Sequence, residues 1–349
     1  MMNLPSGFKK WQIRIKHWEY WPFAVVYFPI IPIWWWYCLK ARSFFFFNAA
    51  NPSIENGGFL MERKSRIYPL LPAGTYPATL HFEAGTPAAQ VLEQVQHLEW
   101  PLIAKPDIGM QGKRVKKLNT TDDLIRYAAQ SPVDFLVQAF IDYPEEAGIF
   151  YVRIPGEKEG KITGIVQKHF ASVTGDGIQT VEQLLLQNDR YVLQWYDWKN
   201  DVSINLQYVP AKGEQHIIAP YGNHARGALF VDATFAATAD LTKAIDDYCQ
   251  RIPGFYYGRL DIRFTNWQSL GEGKNFSVIE LNGAGSEPTH MYDPKNSLWT
   301  AWKEIIRHWS LLYQTATSVN RTQKVAFIGW KQGIQMFRNH RRYQSLLEC

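Results

Sequence analysis

The stretch FSVIELNGAGSEPTH, Phe276–His290, sets an apolar strand centre, Val278-Ile279, directly before Glu280 and Asn282 and then breaks into a glycine-rich turn. Alternate residues of a strand share a face, so Glu280 and Asn282 point together. Upstream, GRLDIRF at Gly258–Phe264 is a second strand-like run on which Arg259 and Asp261 share a face by the same rule. The polar, turn-rich TNWQSLGEGKN between them predicts a hairpin loop. Folding the hairpin gathers Arg259, Asp261, Glu280 and Asn282 into one cluster. A buried carboxylate is costly unless paired or bound to a cation. Two carboxylates and an amide oxygen suit Mg²⁺, which keeps waters and shares itself with substrate phosphates. A structural ion pair of Arg259 with Asp261 or Glu280 accounts for the same residues.

A second segment bears on that choice. WPLIAKPDIGMQGKRVKKL, Trp100–Leu118, is a short apolar strand ending in Lys105-Pro106, followed by a loop with Gly109 and Gly112. Glycines let backbone N–H groups approach phosphate oxygens closely, and lysine supplies a point charge for phosphate. The pattern is neither a P-loop, which needs Gly-Lys-Ser/Thr opening a helix, nor the dinucleotide fingerprint.

Strand-Lys-Pro, glycine loop, then a distant Arg-x-Asp and Glu-x-Asn pair, in this order, resembles the ATP-grasp family of carboxylate–amine ligases, over roughly residues 61–295. The resemblance implies an α+β fold in which two subdomains enclose ATP. By that likeness Asp261, Glu280 and Asn282 hold two Mg²⁺, with Mn²⁺ as a substitute, and Arg259 sits against the phosphoryl group in flight. Lys105 contacts the α- and β-phosphates, and Lys64 in MERKSRIY takes the place of the family's earlier lysine. FLVQAFI, Phe135–Ile141, is similar to the hinge strand that reads adenine, through the Gln138 carbonyl and backbone groups near Phe140 and Ile141. Glu146 accepts the ribose hydroxyls, with Glu145 its competitor.

VTGDGIQTVEQLL is similar to a segment of cyanophycin synthetases, although Asp176 there also suits a simple turn. GNHARGALFVDAT is similar to the Asn-x-x-x-Gly segment of those enzymes and of ribosomal-protein glutamate ligases. It implies that Asn223, Arg226 and nearby main chain meet the γ-phosphate and acyl group, with Lys168 a second candidate. The family chemistry is ADP-forming amide synthesis through an acyl phosphate, in which positioning and charge neutralisation dominate. Nothing in the chain names the carboxylate or the amine; an amphipathic or membrane-proximal substrate is the expectation. A non-catalytic nucleotide-binding module, or a phosphotransferase, is the alternative. The full set of lysine, arginine and metal-ligand residues speaks against the first, and the lack of a mobile histidine-bearing domain against the second.

The chain also departs from the family. Lys113 and Arg114 stand where a further glycine is common, and only roughly sixty residues precede Lys64, where such ligases usually carry an α/β domain. The expected division is an aromatic, basic segment at 1–60, subdomains at 61–137 and 138–310, and a basic tail at 311–349. None of the nine histidines has metal-ligand spacing; His169 and His290 merely flank the motifs.

Three widely spaced cysteines, Cys38, Cys249 and Cys349, make no disulfide or zinc framework and predict a reducing, cytoplasmic setting. The net charge of +5 is uneven: residues 1–42 and 321–349 each hold six Lys/Arg and one Glu, leaving the middle at −5. Basic ends imply an anionic partner surface. YWPFAVVYFPIIPIWWWYCL, Tyr20–Leu39, favours a membrane over nucleic acid, which is not an expected partner. Its prolines and basic flanks argue against a simple span. Two readings stay open: an interfacial segment at the inner membrane face, or an aromatic core or homodimer surface. The tail helix is open in the same way, between the membrane and the body. Helices are expected at TPAAQVLEQVQHL, capped by Thr86, and at TTDDLIRYAAQ, VEQLLLQND, TADLTKAIDDYCQRI and SLWTAWKEIIRHWSLLYQTA, with residues 43–80 irregular.

Overall fold

The computed structural model describes residues 7–110, 112–201 and 204–348. Cys349 and the first six residues of the 1–60 segment lie outside them. Cys38 and Cys249 are buried free thiols.

The fold is α+β and every strand pairing is antiparallel. β1 (Thr79–Phe82), β2 (Leu102–Pro106), β3 (Lys116–Leu118) and β4 (Phe135–Ala139) form a sheet in the order β1-β4-β2-β3. The helices Ala88–Val95 and Thr121–Gln130 cover one face of it through Val91, Val95, Leu124 and Tyr127. β5 (Glu145–Val152), β6 (Lys161–His169), β7 (Ala171–Thr174), β8 (Gln215–Ala219), β9 (Leu229–Asp232), β10 (Tyr257–Phe264) and β11 (Phe276–Asn282) follow. Five of these form the larger sheet, β11-β10-β5-β6-β9, while β7 and β8 pair apart.

Parity along β5 and β10 decides where the site can be. Ala147, Ile149, Tyr151, Leu260, Ile262 and Phe264 face one core, closed by the helix Ala239–Gln250. The opposite face is apolar at one end, where Phe150, Val152 and Tyr257 meet Phe46, Phe47, Leu312 and Ala316. At its other end the same face carries Glu146, Gly148, Arg259, Asp261 and Arg263. The sheet is therefore core on one side and half core, half charged on the other.

β11 does not keep simple alternation. Asp261 pairs with Glu280 but Ile262 pairs with Val278, so Ile279 is a bulge. The bulge lets Val278 and Leu281 both face the core while Glu280 and Asn282 face the cavity.

Several local expectations change. The loop between β10 and β11 contains a helical turn, Trp267–Gly271, capped by Asn266. Thr86 does not cap its helix: its hydroxyl donates to the Glu83 carbonyl, and Pro87 is the N-cap. RYVLQWYDWKN lies in a helix, Asp189–Lys199, started by the Asn188 side chain.

The aromatic arm is part buried and part exposed. It is a chain of short helices, Gly7–Lys16, Phe23–Tyr27 and Ile31–Ala41. Pro22 and Pro32 sit at helix starts, where no N–H is needed. Phe23–Ala41 has the length and composition to cross a bilayer, but it is broken at the 3₁₀ turn Phe28–Ile30. Phe45–Phe47, Ala49 and Ala50 are buried in the main core. Asn51 fixes them to β10: its amide donates to the Gly57 and Tyr257 carbonyls and accepts from the Tyr256 and Tyr257 amides, all within 3.0 Å. The tail helix Trp330–Glu348 is packed on the body, with Gly333 against Phe45 and Met336 in the same core.

His308, on the helix Leu298–Gln323, gives the fold a pH dependence. It is 1% exposed, with Nδ1 facing the Glu304 carbonyl at 2.9 Å and Nε2 facing the Thr163 hydroxyl at 3.0 Å. A neutral ring protonated on Nδ1 satisfies both. Burial, then the neighbouring Arg307 charge, push its pKa down to about 3. An unfolded histidine titrates near 6.5, so below that pH the unfolded chain binds a proton that the native ring refuses. The His308 contribution to stability must fall as pH drops from 6.5 towards 3, by about 2 kcal/mol between 6.5 and 5, while Glu62, whose folded pKa is raised to about 7, contributes with the opposite sign over that window. Glu304, held at about 2 despite burial by His290 and Arg307, loses its contribution only below about 4.5, outside that window. Urea unfolding at pH 7 and pH 5 should show wild type losing about 2 kcal/mol relative to His308→Gln on acidification. An equal change in the variant would assign the effect elsewhere.

Candidate active site

A cavity of about 1290 Å³ lies between the two sheets. Fifteen of the residues singled out from the sequence line it: Lys64, Lys105, Gly109, Gly112, Gln138, Phe140, Ile141, Glu146, Lys168, Asn223, Arg226, Arg259, Asp261, Glu280 and Asn282.

The antiparallel register sets Asp261 opposite Glu280 and Arg259 opposite Asn282. Arg259 grips Asp261 with two N–H groups, at 2.9 and 3.1 Å, and a third donates to the Glu287 carbonyl at 3.2 Å. Asn282 Nδ2 donates to Asp261 at 3.3 Å. Lys64 lies 2.7 Å from Glu280, and Lys168 bridges Glu146 and Asp261 at 3.1 and 3.2 Å. Burial works to raise the Glu280 pKa, but Lys64 and Lys105 hold it at about 2. The ion-pair reading and the metal-site reading thus describe the same atoms: each carboxylate already has a cationic partner.

Lys105 differs. It is 5% exposed and, among the described residues, forms no salt bridge with a carboxylate, the Glu280 charge reaching it only at longer range; its ammonium donates to the Tyr68 hydroxyl at 2.7 Å and the Ile279 carbonyl at 3.2 Å. Burial, then the Lys64 charge, push its pKa down to about 7. Eight cations line the cavity, Arg14, Lys64, Lys105, Lys113, Lys168, Arg226, Arg259 and Arg263, against the six carboxylates of Glu19, Glu62, Glu146, Asp261, Glu280 and Glu287. Such an excess of positive charge favours a polyanionic ligand.

The donor set fits a divalent cation of a particular kind. No group of three or more His, Cys, Asp or Glu side chains among the described residues could hold a metal. A cation at Asp261 and Glu280 would be completed by Asn282, water and ligand oxygens, as Mg²⁺ allows.

Two close approaches explain why glycine occurs where it does. A Cβ on Gly112, whose φ is +74°, would lie 2.5 Å from Asn223 Nδ2. The Asn223 segment therefore closes directly on the glycine loop, where Arg226 also donates to the Val115 carbonyl at 2.9 Å. A Cβ on Gly148 would come within 2.9 Å of Asp261 and 3.0 Å of Arg259. Gly148 was not marked by the sequence, because its need arises only when β5 pairs with β10. Arg263 was missed too, although alternation from Arg259 and Asp261 points to it; it contacts Glu146 at 3.3 Å and the Ile141 carbonyl at 2.8 Å. Glu62, raised to about 7 by burial against the Lys64 charge, also lines the cavity.

Other candidates lie elsewhere. Asp176 caps its own turn, accepting from Ile178 and Gln179 at 2.8 and 2.7 Å, outside the cavity. Glu145 takes the Gln167 amide at 2.7 Å, while Glu146 faces the cavity. His290 pairs with Glu304 at 3.1 Å. In the hinge, the Phe140 N–H is engaged by the Pro101 carbonyl at 3.3 Å, so that donor is taken. Lys113 and Arg114 bind the end of the tail helix, at Glu348 (2.7 Å) and the Leu347 carbonyl (3.1 Å), holding the glycine loop against it.

The aromatic arm supplies one wall of the cavity. Trp18, Trp21, Tyr27 and Trp34 line the cavity. Glu19 receives two bonds from Arg190, at 3.0 and 3.1 Å, and pairs with His224 at 3.1 Å, bracing the Asn223 segment.

No protein-family model matches the chain, and neither does any curated protein. Among solved structures it is similar to a D-alanine–D-alanine ligase from Bacillus anthracis (14% identity, TM-score 0.41, 75% of this chain and 68% of that one). It is also similar to the VanG D-Ala:D-Ser ligase from Enterococcus faecalis (15% identity, TM-score 0.40, 74% and 64%). A bifunctional glutathione synthetase from Pasteurella multocida matches at 13% identity and a TM-score of 0.36, over 70% of this chain but only 35% of that one. Likeness of this degree decides nothing about activity.

Proposed function

We propose that the protein is an ATP-grasp ligase, joining a carboxylate to an amine with release of ADP and phosphate. The observation that carries the reading is Lys105, buried in a cavity with surplus positive charge and, among the described residues, without a salt bridge to a carboxylate. A nucleotide polyphosphate supplies the missing anion. Adenine lies against the Gln138–Ile141 main chain, where the Phe140 carbonyl and Ile141 N–H remain to read it, and Glu146 takes the ribose hydroxyls. Lys64 and Lys105 neutralise phosphate oxygens. Arg259 faces the phosphoryl group in transfer, with Arg226, Lys168 and the Asn223 main chain beyond it.

The substrate carboxylate oxygen forms a bond to the γ-phosphorus as the bond to ADP breaks. The neutral amine then bonds to the acyl carbon, phosphate leaves with its electron pair, and the nitrogen gives up a proton. Asp261, Glu280 and Asn282 would hold Mg²⁺, or Mn²⁺ in its place, and the ion would neutralise phosphate charge. ADP release with Mg-ATP, screened against amino acids, dipeptides and amino-lipids in pairs, tests the reading. Release that requires both a carboxylate and an amine is expected; a folded protein that binds no Mg-ATP overturns it.

The site works at the cytoplasmic face of an anionic membrane. Nine large apolar side chains between Phe8 and Leu39 are more than half exposed, from Val25 at 51% to Phe28 at 77%. Phe8, Trp11 and Ile15 recur at helical spacing on the outer side of Gly7–Lys16, and Trp35, Trp36 and Leu39 on that of Ile31–Ala41. Lys9, Lys16, Lys40 and Arg42 stand exposed among them. Apolar area and anionic headgroups both favour binding, each nearby cation adding about 1 kcal/mol. Deleting residues 1–42 is not a usable test, because Val26, Tyr27 and Ile30 are buried and Trp302 donates to the Val26 carbonyl at 2.8 Å. Replacing Trp35, Trp36 and Leu39 together by serine leaves the core alone. Wild type should sediment with phosphatidylcholine–phosphatidylserine vesicles, less so in high salt, and the triple variant about tenfold less at equal lipid. Wild type that ignores such vesicles at low salt would remove the membrane from the account.

A further inference from the structure

The cavity is larger than a nucleotide site needs. Ligand pockets commonly span about 300–1,000 Å³, whereas this one is about 1290 Å³. Its surplus lies towards the arm, where Trp21, Phe23, Val26, Tyr27, Ile31 and Trp34 line it. Phe23 is also 66% exposed and belongs to the outward apolar surface. The apolar wing of the cavity therefore runs from the charged cluster to the surface read above as membrane-facing.

Glu287 stands at the junction. Its side chain accepts from the Tyr27 hydroxyl and, at 3.1 Å, from the Tyr292 hydroxyl, while its carbonyl takes the Arg259 guanidinium at 3.2 Å. Among the described residues no cation forms an ion pair with its carboxylate. Two neutral donors orient a carboxylate that lines the cavity beside the residue facing the phosphoryl group. The wing thus offers a negative head site and an apolar channel, in that order from the reacting end.

We propose that the amine substrate carries a long apolar chain. Its ammonium meets Glu287 before reaction, and its chain lies along Trp21, Phe23, Val26, Ile31 and Trp34 towards the membrane surface. The inference rests on the ligase reading and adds the class of amine to it. Membrane docking and a chain-bearing substrate then serve one purpose: the substrate enters from the lipid side without crossing water.

Calorimetric titration of the full chain tests this with dodecylamine, ethylamine and dodecanoate, each in the presence of Mg²⁺ and a non-hydrolysable ATP analogue and below the micellar concentration. Dodecylamine should bind at least about tenfold more tightly than ethylamine, because the chain is buried, and at least about tenfold more tightly than dodecanoate, because the head site is anionic. Glu287→Gln should remove the preference over dodecanoate. Ile31→Trp should fill the wing and remove the preference over ethylamine. Leu60→Trp, on the same wall, replaces it if circular dichroism shows that variant unfolded. A chain-length preference that survives in a folded filling variant means adsorption on the outer surface and overturns the proposal. So does equal affinity for dodecanoate. Nucleotide binding is read separately in the same cell: analogue binding with no amine preference defeats this inference alone, and absent analogue binding defeats the ligase reading while leaving any amine preference to stand for the site.

Discussion

Glu280→Gln should abolish Mg²⁺-dependent turnover, by at least about a hundredfold, while the protein stays folded. The carboxylate lies opposite Asp261 across the β10–β11 pair and 2.7 Å from Lys64. Glutamine keeps the shape but neither the charge that would hold a divalent cation nor the counter-charge for Lys64. Lys64 is only 7% exposed and loses its main partner; the nearby Glu62 and Asp107 are carboxylates that still compensate it. The variant should therefore unfold at a somewhat lower denaturant concentration, yet cooperatively. ADP release and circular dichroism on the same preparation separate the two effects. A folded variant that turns over at the wild-type rate means that the metal site has been misassigned.

Arg259→Lys should lower turnover by about a hundredfold while nucleotide affinity changes by no more than about threefold. The substitution keeps a positive charge and loses the planar fork. In the native chain that fork spends two N–H groups on Asp261 and a third on the Glu287 carbonyl. A lysine ammonium cannot hold Asp261 bidentately and reach Glu287 at once. The metal-facing carboxylate and the loop after β11 should both lose their alignment, which matters most when the phosphoryl group is in transfer. Pre-steady-state ADP formation alongside equilibrium binding of Mg-ATP distinguishes the cases. Equal losses in rate and affinity would make Arg259 a binding residue, and no loss in either would return it to a structural ion pair.

Much of the charged cluster was legible from local pattern. Strand alternation put Arg259 with Asp261 and Glu280 with Asn282 on shared faces, and the same rule, carried two residues further, would have added Arg263. Lys105 and its glycine loop suited phosphate by charge and close backbone approach, and the order of the motifs along the chain gave them their weight. These are signals between near neighbours, and backbone geometry sets them whatever the rest of the chain does.

What was not legible depends on pairing between distant segments. The bulge at Ile279 turns Val278 and Leu281 to the core together, and it arises in the pairing with β10, not in the local sequence. The partners of Lys64 and Lys168 lie far along the chain, at Glu280 and Asp261. Gly148 matters only because β5 lies beside β10, where a Cβ would strike Asp261. The arm shows the limit most clearly. Phe46 and Phe47 are buried while Trp35 and Trp36 are more than half exposed, although all four sit in equally aromatic sequence. Composition reports how much apolar surface a segment has to bury; only the helix Leu298–Gln323 and the sheet it packs on determine which of that surface finds a partner and which is left facing outward.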